Sequence, residues 1–466
     1  MPSAPGRSAA LPGGVRLLDH PSFRANARLS TAPVSSRDLG TIVLPRLLRD
    51  DPTISLPFPL VATRGVHGSL STLELTDIEG DSYKAVAPDQ PLRLLVPRAL
   101  GAEESVLPVG YDGEFFLPLG HAAPAASGTT ELVLERLPEP TTAGKKSLHG
   151  SIKIFFQKVV GARIGIPSEY PILAAATHLN QNNQVEYTKN AESVRQLVAR
   201  ATTILLYVHG LIGDTLEMAS SALRGGFDKR YDLILTFDYE NLNTPVAENA
   251  RLLGQRLATV GLGAGHGKHL DLVAHSMGGL VSRWFIECGG GKQVVRRLVM
   301  LGTPNGGSPW PNVVDWATTA LALGLNNLTG TPWPLTVLKG LTKAVGDPRV
   351  ALKEMERDSP TLIKLSESPD PGIPYAMLAG DTSIIPAARE QGTVGRLLSK
   401  LFGTNPVYAF ANPFFKSAVN DIAVAVESMK QLPMGRPMTV EEIACDHLTY
   451  FRDEKSLAAL ARALGE

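Results

Sequence analysis

Ser276 lies in the segment Ala274-His275-Ser276-Met277-Gly278, which places small residues two positions before and two positions after a serine. Small residues there let the chain turn sharply from a strand into a helix, and such a turn lifts the serine hydroxyl out of the sheet. The N-terminus of the helix then directs its free N–H groups and the positive end of its dipole toward developing negative charge. Short patterns of this kind also arise by chance, and the flanking elements decide between the two interpretations.

Continuous apolar runs and helix-like segments alternate around Ser276. The apolar runs, typical of strands covered on both faces, occupy 204–208, 233–237, 270–274, 298–301 and 374–379. The helical segments occupy 246–260, 278–288 and 456–464. This alternation predicts a mainly parallel α/β sheet. Because Ser276 stands between a predicted strand and a predicted helix, the context favours a nucleophile over a chance match.

The span from about Thr203 to Leu464 resembles the lipase and esterase branch of the α/β-hydrolases. The motifs that carry the resemblance are YVHGLIGDT, FDYENLNTP, AHSMGGLVSRW, LVMLGTPNGGSPW, PYAMLAGDTS, NDIAVAVES and CDHLTYF. They are most similar to bacterial hydrolase modules found beside caspase-like CHAT domains, and more distantly similar to bacterial triacylglycerol lipases. The resemblance implies an α/β-hydrolase fold, in which a mainly parallel sheet is flanked by helices and carries a cap or lid insertion. It does not extend to residues 1–145.

The resemblance also implies how Ser276 is activated. A serine hydroxyl is a weak nucleophile until a base removes its proton, and in these enzymes the chain order is Ser, acid, His. His447 is the one histidine after Ser276 and is therefore expected to be the base. The backbone N–H groups of Leu211 and Met277 are expected to form the oxyanion hole. His209, two residues before Leu211, is expected to shape the loop rather than act as the base.

Two aspartates compete for the role of the acid that orients His447. Asp421 begins the stretch DIAVAVES, which resembles the lipase pattern of an acid, an apolar stretch and a serine shortly before the histidine. Asp381 follows the predicted strand 374–379, which is the usual place for the acid of such a triad. Ile422 stands where many lipases have glycine after the acid. The sequence favours Asp421 and leaves Asp381 as the alternative.

A long excursion at about 306–371 lies where this fold often inserts a cap. Within it, residues 313–325 are apolar on most faces. A lid over an apolar acyl pocket has this composition, and so does a buried core helix. The sequence does not decide between them. If the segment is a lid, the candidate pocket residues are Trp310, Trp316, Leu321 and Leu323.

Residues 1–145 differ in texture from the rest of the chain. Their short apolar runs, at 41–45, 92–96 and 131–135 among others, are separated by proline, glycine and aspartate. Such spacing predicts short strands in a small β-rich domain, to which no chemistry can be assigned. The predicted domains are a β-rich accessory domain at 1–145, a bridging segment at 146–202 with a strand at 151–160 and a helix at 191–201, and a catalytic domain at 203–466.

Composition limits the partners and cofactors of this chain. Of its 466 residues, 45 are lysine or arginine and 45 are aspartate or glutamate, so no net basic field exists to hold nucleic acid. Two cysteines, Cys288 and Cys445, cannot supply a four-ligand zinc site, and no metal or organic cofactor is expected. The first residues lack the unbroken apolar core of a signal peptide, and no apolar run reaches the ~18 residues of a spanning helix. A cytoplasmic location is therefore expected.

Together these observations predict a lipase- or esterase-like serine hydrolase of carboxylic esters. Its substrate is expected to be an acyl ester or lipid-like molecule, with transient contact to a lipid surface. An acyltransferase, or an amidase or peptidase, that uses the same residues is the alternative among enzymes. An effector or binding module that docks a protein partner through the N-terminal domain is the alternative outside them. The complete set of serine, acid and histidine argues against a purely structural role.

Overall fold

The computed structural model of this chain describes residues 8–33, 56–60, 69–101, 104–112, 114–125, 128–140, 151–160, 171–179, 185–210, 215–239, 244–308, 313–326, 353–381, 396–397, 400–401, 421, 424–433, 436–445, 447, 450–451 and 454–465. The strands up to Val160 form two antiparallel sheets, and the strands from Ile172 onward form one mixed sheet. None of the helices in these ranges is both long and apolar enough to cross a bilayer.

The N-terminal part of the described chain consists of the two antiparallel sheets. Its strands are β1 (Ala9–Ala10), β2 (Arg16–Leu17), β3 (Asn26–Pro33), β4 (Leu56–Pro57), β5 (Ser69–Thr76), β6 (Leu92–Val96), β7 (Glu104–Tyr111), β8 (Phe116–Pro118), β9 (Gly120–Pro124), β10 (Thr130–Leu134) and β11 (Ile152–Val160). One sheet has the order β1-β2-β6-β10-β9, and the other has the order β3-β5-β11-β7-β8 with β4 paired to β11. Buried and half-buried side chains alternate along β6, as expected for a sheet that buries one face.

The bridging segment predicted at 146–202 is divided between the sheets. β11 lies within the second antiparallel sheet, where it pairs with β5 and β7. The residues from Ile172 onward pair instead with strands of the mixed sheet. The runs predicted at 92–96 and 131–135 correspond to β6 and, within one residue, to β10, whereas the run at 41–45 lies outside the described residues.

The C-terminal part is the mixed sheet with its helices. Its strands are β12 (Ile172–Leu179), β13 (Val185–Thr188), β14 (Thr203–Val208), β15 (Leu233–Asp238), β16 (His269–His275), β17 (Arg297–Leu301), β18 (Tyr375–Gly380) and β19 (Met438–Ile443). Its helices are α1 (Ala191–Arg200), α2 (Thr215–Arg224), α3 (Val246–Thr259), α4 (Met277–Cys288), α5 (Val313–Leu325), α6 (Pro360–Ser366), α7 (Val426–Met429) and α8 (Glu454–Ala463). The strand order is β13-β12-β15-β14-β16-β17-β18-β19.

Helices cover both faces of the mixed sheet. Leu206 of β14 belongs to one apolar cluster, together with residues of α3 and α4. Its neighbour Leu205 belongs to a second cluster, together with residues of α2 and α8. Because successive side chains of a strand point to opposite faces, the continuous apolar runs seen in the sequence reflect this double cover.

The parallel strands predicted from the apolar runs are β14 to β18, each within one residue at either end. β19 continues the parallel arrangement, whereas β12 runs antiparallel to both β13 and β15. The sequence did not predict β12, because Ala174-Ala175-Ala176 at its centre lacks the β-branched and aromatic residues that indicate a strand. All carboxyl ends of β14 to β19 meet at one edge, which is where open α/β sheets bind ligands.

Two pieces of the C-terminal part contact the β7–β8 hairpin of the N-terminal part. α5 packs against β8, and the Asn326 side chain that follows α5 accepts from the Phe116 N–H at 2.9 Å and donates to the Phe116 carbonyl at 2.8 Å. Lys400 donates to Asp112 Oδ2 at 2.6 Å, and the Asp112 side chain is fully buried. The N-terminal part therefore packs directly on the region predicted to be a cap.

Candidate active site

Ser276 occupies a strained turn between β16 and α4. Its φ of 53° and ψ of −128° lie outside the regions that residues with a side chain ordinarily adopt. Asp77 is the other non-glycine residue with positive φ in the described ranges. Such a conformation costs on the order of 1–3 kcal/mol and persists only when its surroundings enforce it. The Ser276 N–H donates to the Leu301 carbonyl of β17 at 2.8 Å, which ties the turn to the sheet.

Glycines make this turn possible because other segments of the same chain pass so close to it that a Cβ would have no room. A Cβ at Gly278 would lie 2.3 Å from the His209 carbonyl oxygen, and one at Gly210 would lie 2.5 Å from the Ser276 Cβ. At Gly279 a Cβ would lie 2.0 Å from Thr303 Oγ1. The requirement for a small residue at Gly278 therefore comes from the loop that follows β14, and the requirement at Gly279 comes from Thr303, which follows β17.

Three polar side chains from distant parts of the chain form one series of hydrogen bonds. Ser276 Oγ lies 2.8 Å from His447 Nε2, and His447 Nδ1 lies 2.7 Å from Asp421 Oδ2. All three residues are buried, with Asp421 fully enclosed. Because a carboxylate only accepts, Nδ1 carries the proton toward Asp421, which leaves Nε2 of the neutral ring to accept from the Ser276 hydroxyl.

Further donors hold the Asp421 carboxylate in place. The Val424 N–H donates to Oδ1 at 2.8 Å, and the Tyr450 hydroxyl donates to Oδ2 at 2.9 Å. The backbone is joined as well, since the His447 N–H donates to the Asp421 carbonyl at 2.8 Å. Burial, and then the nearby Asp421 charge, raise the pKa of Tyr450 well above its ordinary value, so its hydroxyl keeps its proton.

The alternative acid, Asp381, is next in the chain to Gly380, whose N–H donates to the Tyr450 hydroxyl. It follows β18, its side chain is buried, and its N–H donates to the Ile443 carbonyl at 2.8 Å. The carboxylate that contacts His447 Nδ1 is that of Asp421. Geometry thus favours the first of the two acids considered from the sequence.

Two more histidines lie against the site. His275 Nε2 donates to the His447 carbonyl at 2.7 Å, and the centroids of the two rings are 4.8 Å apart. His209 Nδ1 donates to the Gly210 carbonyl at 2.7 Å, while its Nε2 accepts from the Tyr239 N–H at 3.1 Å. Burial lowers the pKa of both histidines, and for His275 the proximity of His447 adds to the effect. The ring of His209 thus bonds to Gly210 and to Tyr239 rather than to Ser276.

The remaining predicted site residues have different outcomes. Met277 is the first residue of α4 and is buried, so its N–H is among the helix N-terminal donors without an intrahelical partner. Leu321 and Leu323 are buried in α5. Leu211 and Trp310, together with the Trp316 side chain, lie outside the described part of the chain. Across that described part, no group of three or more His, Cys, Asp and Glu side chains is arranged to hold a metal ion.

Two residues of the site were not singled out from the sequence: Gly302 and Tyr450. Gly302 has a φ of +59°, and a Cβ there would lie 2.7 Å from Asp421 Oδ2 and 3.0 Å from His447 Nδ1. Tyr450 stands three residues after His447 in the quoted motif CDHLTYF. Its position close to the histidine was the available signal, but nothing in the spacing shows that the ring turns back onto Asp421.

Residues 173–465 match the sequence profile of a family described as a domain of unknown function, DUF7379, and the chain belongs to this family. The matched region begins at the second residue of β12 and includes the rest of the mixed sheet, but none of the two antiparallel sheets. No curated protein is similar to this chain in sequence.

Solved structures similar to this chain include three enzymes. The mature lipase BlEst2 of Bacillus licheniformis is 19% identical over 57% of this chain and 93% of its own, with a TM-score of 0.32. The carboxylesterase CesB of Bacillus subtilis is 11% identical over 63% of this chain and 92% of its own, with a TM-score of 0.35. The phospholipase PlaB of Legionella pneumophila is 16% identical over 56% of this chain and 58% of its own, with a TM-score of 0.36.

Proposed function

We propose that this chain is an α/β-hydrolase that cleaves carboxylic esters, with Ser276 as the nucleophile and His447 as its general base. The observation that carries the proposal is the series of hydrogen bonds from Asp421 Oδ2 through the His447 ring to Ser276 Oγ. Ser276 lies at the carboxyl edge of the sheet, on a strained turn that directs its hydroxyl away from the sheet. A serine bonded to a base that is itself oriented by a carboxylate is the arrangement needed for covalent catalysis.

In the first half of the reaction, Ser276 Oγ attacks the ester carbonyl carbon as His447 Nε2 takes the hydroxyl proton. The resulting imidazolium lies beside the Asp421 carboxylate, which stabilises its charge. The carbonyl oxygen becomes negatively charged in the tetrahedral intermediate, and the proposed donors to it are the N–H groups of Met277 and Leu211. When the C–O bond breaks, His447 returns the proton to the leaving alcohol and an acyl group remains on Ser276.

In the second half, water takes the place of the alcohol. His447 Nε2 accepts a proton from the water molecule as its oxygen attacks the acyl carbon. The second tetrahedral intermediate collapses, Ser276 leaves with the proton from His447, and the carboxylic acid is released. No step requires a group beyond the chain, the ester and water.

The proposal is tested by ester hydrolysis with single and double variants. Ser276→Ala and His447→Ala should each lower kcat for a p-nitrophenyl ester by several orders of magnitude, because each removes a member of one functional unit. The double variant should be little worse than either single variant. A series of p-nitrophenyl esters of increasing acyl length would then define the acyl preference.

Ser282→Ala is a matched control, since Ser282 is a buried serine on α4, the helix that follows Ser276, and lies six residues after it. Its kcat should stay near that of the wild type. Losses that add in the Ser276→Ala, His447→Ala double variant would argue against a shared mechanism. Wild-type protein that is folded but hydrolyses none of the esters would contradict the proposal.

A further inference from the structure

The Tyr450 hydroxyl is bonded on two sides, and these bonds fix the direction in which it donates. The Gly380 N–H donates to the Tyr450 oxygen at 2.7 Å. That oxygen lies 2.9 Å from Asp421 Oδ2. A phenol has one hydrogen to donate, and the Gly380 N–H occupies a lone pair, so the hydroxyl hydrogen goes to the carboxylate.

Asp421 Oδ2 is the same oxygen that accepts from His447 Nδ1. The tyrosine and the histidine therefore share one acceptor atom, and they constrain it from two directions. A fully buried carboxylate needs such hydrogen-bond donors because burial has removed the water molecules that would otherwise solvate its charge. Among the described contacts, Val424 supplies the donor to the other oxygen, Oδ1.

The tyrosine is itself anchored on the sheet. Gly380 is the last residue of β18, and a Cβ there would lie 2.7 Å from the Tyr450 hydroxyl and 2.8 Å from the Asp421 Cβ. A Cβ at Gly302, directly after β17, would lie 2.9 Å from the Tyr450 ring. The ends of two neighbouring strands thus pack on the side chain that reaches Asp421.

We infer that Tyr450 is a positioning residue for the proposed reaction: it transmits the position of the β18 strand end to the Asp421 carboxylate. Its hydroxyl keeps Oδ2 aimed at His447 Nδ1 while the imidazole gains its charge. Tyr450 touches neither Ser276 nor the ester in this role and acts through Asp421 alone. The inference rests on the proposed function of the Ser276, His447 and Asp421 group.

Tyr450→Phe removes the donor and keeps the ring. Because a hydrogen bond to a charged group contributes more than a neutral one, kcat for p-nitrophenyl acetate should fall about 10- to 100-fold, with KM little changed. Tyr231→Phe is the matched control, since the Tyr231 hydroxyl donates at 2.8 Å to another fully buried carboxylate, Asp271 Oδ2, near the opposite end of β16. That variant should lower the thermal midpoint and leave kcat near the wild-type value.

A double-variant cycle separates positioning from packing. In an Asp421→Ala background no carboxylate remains to position, so adding Tyr450→Phe should lower kcat no further. A merely structural role would give the same fold-loss in both backgrounds, and that result would overturn the inference. A folded Tyr450→Phe protein with wild-type kcat would overturn it as well. If the wild type hydrolyses no ester and Ser276 does not react with a fluorophosphonate probe, the proposed function fails and this inference fails with it.

Two further replacements serve if Tyr450→Phe folds poorly. Replacing Tyr450 by 4-aminophenylalanine keeps a donor toward Asp421, whereas 4-fluorophenylalanine fills nearly the same volume without one. The first should keep kcat within a few-fold of the wild type, and the second should show the loss expected for phenylalanine. Equal kcat values for the two proteins would contradict the role of the donor.

Discussion

His447 and Asp421 are joined twice, although they are 26 residues apart in the chain. The ring nitrogen Nδ1 of His447 lies 2.7 Å from Asp421 Oδ2, and the His447 N–H donates to the Asp421 carbonyl at 2.8 Å. The second bond restrains the distance between the two backbones, which helps to keep the side chains within hydrogen-bonding distance of each other. This pairing favours Asp421 as the acid that orients His447.

The first prediction compares the two aspartates considered from the sequence. Asp421→Asn should lower kcat by roughly 10³- to 10⁴-fold, because an amide cannot stabilise the imidazolium and favours the wrong ring tautomer. Asp381→Asn, which changes a buried carboxylate beside the site, should have a far smaller effect on kcat. Steady-state kinetics on a p-nitrophenyl ester would measure both. The reverse order of effects would move the role to Asp381.

The second prediction concerns Gly302, which separates β17 from the Asp421–His447 pair. Gly302→Ala should impair both stability and kcat, because its Cβ would lie 2.7 Å from Asp421 Oδ2. Gly290→Ala is the control: Gly290 also has positive φ, at +80°, but nothing lies within 4 Å of its Cβ position. It should cost only the backbone strain, about 1–2 kcal/mol of unfolding free energy, with kcat unchanged. Equal losses of kcat in the two variants would contradict the steric explanation.

The third prediction is that acid weakens the fold below about pH 6.5. Burial lowers the pKa of His275 and His209 below their ordinary value of 6.5, so the folded chain resists protonation where the unfolded chain accepts it. The unfolded state then binds more protons, and the free energy of unfolding falls as the pH drops through 6.5. Urea unfolding between pH 7.5 and pH 5.5 would measure the slope, which should be shallower in His275→Gln. A free energy of unfolding that stays constant over this range would contradict the prediction.

The fourth prediction addresses α5, for which the sequence allowed either a lid or a core helix. Leu321 and Leu323 point to nearly opposite sides of the helix, yet their exposed fractions are only 0% and 2%. Because β8 packs on this helix, we predict core behaviour: Leu321→Ser with Leu323→Ser should cost ~4–10 kcal/mol and abolish activity on short and long esters alike.

Ile363→Ser is the control for this double variant, since Ile363 is an apolar helix residue with 47% of its surface exposed. Its thermal midpoint should change little. If the Leu321→Ser, Leu323→Ser protein keeps its midpoint and loses only long-chain activity, α5 is a lid. Thermal unfolding and the two ester assays, run on the same preparations, decide between these outcomes.

The sequence could predict the elements around Ser276 because local signals agree there. The apolar runs of β14 to β18 and the small residues at Ala274 and Gly278 leave little choice of strand, turn and helix. The choice of His447 as the expected base came from the order Ser, acid, His in the family that the sequence resembles. The sequence favoured Asp421 over Asp381 but could not exclude Asp381, because both precede His447 and only the folded chain shows which carboxylate reaches Nδ1.

Contacts between distant residues account for what the sequence could not predict. The bond from His275 to the His447 carbonyl spans 172 residues, and no local periodicity encodes it. In the same way, β11 was predicted as a strand, but its pairing with β7 depends on residues more than 40 positions earlier. The packing of α5 on β8 is a contact of this kind too, which is why the composition of α5 alone left its role open.

The reactivity of Ser276 toward a fluorophosphonate probe tests the central claim most directly. A serine activated by His447 should take up one phosphonyl group per chain, and mass spectrometry of the digested protein should place that group on Ser276. Labelling should disappear in Ser276→Ala and fall sharply in His447→Ala, while the control Ser282→Ala should label like the wild type. A folded wild-type chain that takes up no probe, or a Ser276→Ala protein that labels as fast as the wild type, would contradict the assignment of Ser276 as the nucleophile.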